Sequence, residues 1–95
     1  MEDRFDKIFE SVVIKYHEMR LYRYNDAIRV IDECEKRRIK ILGVDSFRLL
    51  PNKKIQPFME FSHDYSALAI PLTWNKARGD ICLYSQKDLV FEIVY

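Results

Sequence analysis

The chain has 95 residues and a formal net charge of +1, and 48% of its residues are hydrophobic. This length fits one domain over 1–95, and six Phe, six Tyr and one Trp supply the apolar side chains of a core, which excludes a disordered chain. The near-zero charge argues against direct nucleic-acid binding, and the absence of an apolar run of about 20 residues argues against a membrane span.

The start of the chain predicts a helix. Apolar residues recur three and four positions apart along the first 19 residues, which predicts a helix from Glu2 or Asp3 to about Met19. Val13 and Tyr16 extend beyond the narrow apolar stripe, so pairing of this helix in a homodimer is one option. The acidic and mixed first residues carry no apolar stretch of a secretory leader, so we expect a cytoplasmic protein.

A second helix is predicted after a short connection at 21–24. Asn25 or Asp26 is its candidate cap, and the basic run at 36–38 suits its C-terminus. With Lys40, that run could instead bind phosphate. Its inward residues are Ala27, Ile28, Val30, Ile31 and Cys34. Like Cys34, Cys82 lies in an apolar context, here a predicted strand, and we expect both thiols to be buried and reduced.

From Ile39 onward, apolar residues come in short runs separated by turn residues, which predicts strands. The predicted order is a strand over 39–50, a turn at 51–54, a strand over 55–61, an irregular stretch at 62–65, a short strand over 67–72, a loop over 74–80, and a hairpin of 81–84 and 89–95. Gly43 indicates a bulge or close approach, and Pro57 indicates an edge strand. The sequence therefore predicts an α+β domain with two N-terminal helices packed on one face of a four- to five-stranded antiparallel sheet.

The most enzyme-like feature is the dipeptide His63-Asp64. An imidazole and a carboxylate can share acid–base catalysis when both reach one substrate. A small ribonuclease that uses His63 with His17 or Asp64 is therefore one interpretation. Two histidines are too few for a closed metal site, and two glycines in the whole chain exclude a glycine-rich phosphate loop, so we expect no metal and no cofactor.

The segment 58–65 combines aromatic and acidic side chains, and Trp74 follows it in a predicted loop. Aromatic side chains beside charges are typical of protein-binding hot spots. Alternation along a strand would place Phe58 and Phe61 on opposite faces. This strand is then either buried on both sides or offers one apolar face to a partner.

The residues 41–47, Ile-Leu-Gly-Val-Asp-Ser-Phe, and 54–57, Lys-Ile-Gln-Pro, resemble a family of bacterial immunity proteins, immunity protein 40. In this resemblance, 27–40 corresponds to a helix that ends in a basic or polar turn, and Asp64-Tyr65 to an aspartate–aromatic stretch. Proteins of this class are antidotes encoded beside polymorphic or contact-dependent toxins. The resemblance implies a non-enzyme that binds the C-terminal domain of its cognate toxin and occludes the active site.

We expect that toxin to be a nuclease. The residues that we expect to contact it are Asp45, Glu60, Phe61, His63, Asp64, Tyr65 and Trp74. The carboxylates of Asp45, Glu60 and Asp64 would face lysine and arginine side chains of the nuclease, because opposite charges speed association and select the cognate partner. We expect a monomer or a weak dimer, and the ribonuclease stays as the alternative.

Overall fold

The computed structural model describes residues 5, 7–85 and 88–95, with the backbone alone at 53 and 59–61. The elements are β1 (Ile14–Tyr16), β2 (Met19–Arg23), α1 (Tyr24–Lys36), β3 (Gly43–Leu50), a 3-10 turn (Pro51–Lys53), β4 (Lys54–Asp64), α2 (Ile70–Cys82) and β5 (Leu89–Val94). The strands form one antiparallel sheet in the order β1-β2-β5-β3-β4. No helix within these described ranges is long and apolar enough to cross a membrane.

The predicted arrangement of two N-terminal helices is wrong, because α1 follows two strands and α2 lies between β4 and β5. The start predicted for the first helix, Glu2 or Asp3, lies outside the described residues. Within the described part, residues 5, 7 and 8 are helical, and 14–23 form a hairpin instead of a helix. His17 turns this hairpin with a φ of 55°. Ile14 and Tyr16 are two positions apart and lie on one face of β1. The two-residue alternation of a strand therefore prevails here over the helical spacing of the apolar residues. The proposed helix pairing through Tyr16 is therefore wrong as well.

The second predicted helix is confirmed as α1, with its predicted inward residues Ala27, Val30, Ile31 and Cys34 buried. It begins at Tyr24 after Arg23, which makes no side-chain capping bond, so the predicted cap at Asn25 or Asp26 is wrong. Burial raises the pKa of the Cys34 thiol to about 12, which leaves the thiol neutral and inert.

Helix α2 replaces the predicted strand at 67–72, the loop at 74–80 and the strand at 81–84. Pro71 does not break the helix because it lies in the first turn, where an N–H is not needed. Cys82 consequently lies at the end of a helix and is exposed, not buried in a strand. The predicted C-terminal hairpin is also wrong, since β5 pairs with β2 and β3.

Strands β3 and β4 form the predicted hairpin, but β3 starts at Gly43 and β4 continues to Asp64, through most of the stretch expected to be irregular. The close approach predicted at Gly43 is confirmed. A Cβ atom there would lie 2.7 Å from the carbonyl oxygen of His63. Any other residue at this position would push the two strands apart.

The helices pack on one face of the sheet and enclose the main core, to which α1, α2, β3 and β5 contribute. We call the other sheet face the open face. Leu21, Phe47 and Val90 form a smaller apolar cluster on it, against which Ile14 and Ile55 pack. Because Ile14 and Ile55 come from the two opposite edge strands, the sheet curls toward this face.

Candidate functional site

Edge strand β4 departs from regular pairing at one point. Asp45 lies opposite Ser62 and Phe47 lies opposite Pro57, so a single residue of β3 faces four residues of β4, 58–61. We call 58–61 the β4 bulge. Bulges on edge strands redirect side chains and hinder pairing with another chain. The alternation expected for this strand therefore does not apply, because the bulge interrupts it.

Three carboxylates lie at the end of the open face where β3 begins. Asp45 is directly opposite Glu92 of β5, and Asp64 is opposite Gly43, in the next row on the same face. No ion pair found among the described residues includes any of the three. We call Asp45, Asp64 and Glu92 the acidic end. It places negative charge beside the β4 bulge, and the positive charge of Lys40 lies close enough to act on Asp64.

The local environments of these carboxylates differ. Burial raises the pKa of Glu92, and the negative charge of Asp45 opposite raises it further. Asp45 accepts a hydrogen bond of 2.7 Å from the Ser62 hydroxyl. Hydrogen bonds from Ser66, the backbone amide first, lower the pKa of Asp64, so this carboxylate stays charged at neutral pH. Like charges directly opposite each other destabilise a sheet, and a cation from outside would relieve that repulsion.

His63 lies on the helix side of β4, and its partner is Asp80 rather than Asp64. Its Nδ1 is 3.5 Å from Asp80 Oδ2. Adjacent strand residues point to opposite faces, which separates the His63 ring from the Asp64 carboxylate. His17 lies in the turn between β1 and β2, and three strands separate β1 from β4 in the sheet. The structure therefore does not assemble the ribonuclease pairs expected from the sequence.

Asp80 is the buried centre of a polar cluster under His63. The Tyr65 hydroxyl donates to it at 2.7 Å and Lys76 Nζ donates at 3.1 Å. Burial acts to raise the pKa of Asp80, but the hydrogen bonds from Tyr65 and Lys76 and the nearby charges outweigh it and hold this pKa below its usual value. Burial, followed by the bond to Asp80, raises the pKa of Tyr65.

The seven residues expected at the toxin-binding surface do not share one environment. Asp45, His63 and Asp64 are at least partly exposed. Glu60 and Phe61 lie in the β4 bulge, and their side chains are outside the described part of the structure.

The other two expected contact residues, Tyr65 and Trp74, are core residues. Trp74 is 5% exposed, and its indole N–H donates to the Ile39 carbonyl at 2.8 Å. Its predicted place in a loop is wrong, because it lies within α2.

Glu92 is the residue of the acidic end that the sequence did not single out. Glu92 lies between the apolar residues Phe91 and Ile93. This alternation of apolar and polar residues predicts a strand in which the Glu92 side chain lies on the less buried face. That signal does not reveal Asp45 as its neighbour, because the pairing joins residues 47 positions apart.

Comparisons with known proteins leave the chain unassigned. No family model matches it, and neither the curated proteins nor the solved structures include a significant match. In the described part of the chain, no three His, Cys, Asp or Glu side chains come together as a metal site. The described features that bear on function are the acidic end, the β4 bulge and the His63–Asp80 pair.

Proposed function

We propose that this chain is an immunity protein that binds the C-terminal domain of a cognate bacterial toxin and occludes its active site. The observation that carries the proposal is the acidic end, three carboxylates without an ion-pair partner in the described chain, beside an edge-strand bulge. A nuclease holds cationic side chains where it binds phosphates, which makes it a toxin complementary to such a surface.

We propose a contact set that differs from the one expected from the sequence. Asp45, Asp64 and Glu92 supply the charge, and the β4 bulge adds the aromatic and acidic segment 58–61. Tyr65 instead supports the surface from below through its bond to Asp80. A stable complex of this kind buries about 1,200–2,000 Å² in total, so the acidic end would be one part of a larger interface.

The direct test is rescue of growth by co-expression with the toxic reading frame encoded next to this gene. The variant Asp45→Lys with Asp64→Lys should weaken binding by roughly 100-fold, about 2–3 kcal/mol, because two attractive charges become repulsive. Affinity is measured by isothermal titration calorimetry on the purified toxin domain. Asp45→Lys and Asp64→Lys are also measured singly, and Asp88→Lys is the charge-matched control for each single variant, since Asp88 is exposed at the far end of β5.

Two results would contradict a toxin-binding role of the acidic end. Rescue and affinity that survive the double charge reversal would remove the acidic end from the interface. Equal losses in the Asp88→Lys control would show that overall charge, and not this surface, governs binding.

An RNA-cleaving enzyme is the second candidate function, and the His63–Asp80 pair is the observation in its favour. A buried carboxylate at one ring nitrogen can hold an imidazole in the orientation that a general base needs. The half-buried ring of His63 keeps part of its surface in solvent. Purified protein should then cleave RNA, and His63→Ala should abolish the cleavage. Intact RNA over a wide pH range would exclude this candidate.

A further inference from the structure

Strand β2 changes its partner along its length. Residues 19–21 pair with β1, and residues 22–23 pair with β5. Among the residues of β2, all of which the structure describes, none is therefore paired on both sides, whereas Asp45 of β3 pairs with β4 and β5 at once. The β1–β2 hairpin is joined to the rest of the sheet by two residue pairs, against six between β3 and β5. We call residues 14–21 the flap.

A gap separates the flap from β5. Continuation of the β2–β5 register beyond Tyr22 would set Leu21 opposite Glu92, but the pairing stops at Tyr22. A cavity of about 240 Å³ lies there instead, between the flap and the end of β5. It is lined by Glu18, Arg20 and Tyr22 on one side and by 92–95 on the other. The cavity replaces the direct contact that neighbouring strands make along a continuous ladder.

The flap packs on an apolar cluster of its own. None of the described residues 14–21 belongs to the main core. Leu21 belongs instead to the small apolar cluster on the open face. Three further flap residues pack against that cluster, Ile14, Tyr16 and Met19. Because this cluster is separate from the main core, the apolar contacts of the flap can be lost while the main core stays packed.

The main core holds both ends of the flap. Before the flap, Val13 packs against the main core, and its amide donates to the Phe9 carbonyl at 2.9 Å. After the flap, Tyr22 is buried in the main core, and its ring lies edge-on to Phe9 with the centroids 6.0 Å apart. Movement of the flap is thereby confined to rotation at 13–14 and 21–22.

Glu10 ties both strands of the flap to the chain that precedes it. Its carboxylate pairs with Lys15 of β1 at 2.8 Å and with Arg20 of β2 at 3.6 Å. The bond from Lys15 lowers the pKa of Glu10, so the carboxylate is charged at neutral pH. All three side chains are partly exposed, and ion pairs in water are weak. These pairs therefore hold the flap closed only loosely.

We propose that the flap is a lid that opens and closes over the small apolar cluster while the main core and the other three strands stay folded. In the closed state, Phe47 and Val90 pack with Leu21 and are at most 9% exposed. Opening uncovers both side chains and widens the cavity beside Glu92. The inference does not depend on the proposed immunity function, because it concerns the cooperativity of the sheet alone.

Hydrogen exchange of the native protein, followed by NMR at increasing urea concentrations, tests the lid. The protected amides of the flap should exchange at least about 100-fold faster than the slowest amides of β3 and β5. Their exchange should also depend less steeply on urea, because opening exposes less surface than unfolding does. Equal rates and equal urea dependence in the flap, β3 and β5 would mean that the hairpin opens only when the whole protein unfolds, which overturns the proposal.

Two conservative variants separate opening from global unfolding. Trp74→Phe, in α2, should speed exchange of the slowest amides of β3 and β5 by about 5- to 30-fold. It should leave the flap amides unchanged, since the surroundings of Trp74 stay intact when the flap opens. Equal acceleration of the flap amides in this variant also overturns the lid.

Glu10→Gln tests the contacts that close the flap. It should speed exchange of the flap amides by about threefold, because the ion pairs with Lys15 and Arg20 are lost. Glu33→Gln is the matched control. It removes the same charge and an ion pair with Arg37 within α1, and should leave exchange of the flap unchanged. Equal acceleration of the flap by both variants would contradict opening of the flap apart from α1.

Discussion

Helices α1 and α2 cover the same face of the sheet, but they distribute polar residues in opposite ways. The buried residues of α1 are all apolar, and its outer face carries ion pairs such as Arg29–Asp26 at 3.3 Å and Arg37–Glu33 at 2.6 Å. The position of α1 is set by apolar burial, and its outer charges pair within the helix or, at Asp32 and Glu35, with Arg78 of α2.

Helix α2 reverses this arrangement. Its buried side includes Thr73, Trp74 and Asp80, each held by hydrogen bonds, and its outer side carries two exposed leucines. No buried side-chain polar atom in the described structure lacks a partner. The contrast indicates that directional bonds fix the place of α2, so loss of a single polar group should cost more in α2 than on the exposed sides of either helix.

The largest effect is expected at Trp74. Trp74→Ala should lower the free energy of unfolding by about 3–5 kcal/mol, because it leaves a large cavity and removes the bond to Ile39. Trp74→Phe keeps a ring but leaves the Ile39 carbonyl without its donor, and should cost about 1–2 kcal/mol. Urea denaturation measures both. Leu72→Ala in the same helix is the control and should change stability by no more than about 0.5 kcal/mol. A Trp74→Phe variant as stable as wild type would show that shape alone positions α2.

An intermediate effect is expected at Asp80. Asp80→Ala leaves the buried Tyr65 hydroxyl without its acceptor and should cost about 2–3 kcal/mol near neutral pH. The pKa of Asp80 is lowered in the folded state, so its stabilising effect is present above the unfolded-state value of 3.8 and is lost as the pH falls through the folded-state pKa. The stability difference between the variant and the wild type should therefore narrow as the pH falls below 3.8, because the protonated carboxyl keeps its acceptor for Tyr65 but loses its charge.

Thermal unfolding between pH 2 and pH 7 measures this convergence, in steps of about half a unit around the ordinary pKa of an aspartate. Asp88→Asn, an exposed carboxyl, is the control. A constant difference between Asp80→Ala and wild type at every pH would mean that the charge of Asp80 contributes nothing and that packing accounts for the loss.

The smallest effect is expected at Gly79 and has the opposite sign. Gly79→Ala should raise the free energy of unfolding of the monomer by about 0.5–1 kcal/mol, because the new methyl group meets no described atom and the helix gains propensity. Gly43→Ala is the matched comparison. It should lower stability by about 1–3 kcal/mol, because its methyl group would overlap the His63 carbonyl. Chemical denaturation at low protein concentration separates these values from any dimerisation. A destabilised Gly79→Ala would point to an unrecognised neighbour of α2.

The contrast between α1 and α2 explains how much of the fold could be predicted from the sequence. Helix α1 was predictable because its apolar residues recur at helical spacing and its charges lie outside. Helix α2 was not, because buried Thr73 and Asp80 and exposed Leu72 and Leu83 cancel that periodicity. The α+β class and the β3–β4 hairpin could also be predicted, because both follow from the local pattern of apolar and turn residues.

The candidate site was only partly predictable from the sequence. Asp45 and Asp64 were expected at one surface and do share the open face, while their contact with a toxin stays a prediction. Glu92 and Asp80 could not be placed, since each acquires its neighbours through distant pairing. The β4 bulge was hidden for the same reason, because it exists only relative to the register of β3.

The central place of β5 has a consequence for biosynthesis. Among the described strands, β5 is translated after the other four, yet it joins the β1–β2 hairpin to the β3–β4 hairpin. A two-stranded hairpin alone is marginally stable in water, so the nascent chain cannot assemble its sheet until residue 94 has left the ribosome. Until then its apolar surfaces stay open to chaperones and proteases. Ribosomes that stall before β5 would release chains that are degraded.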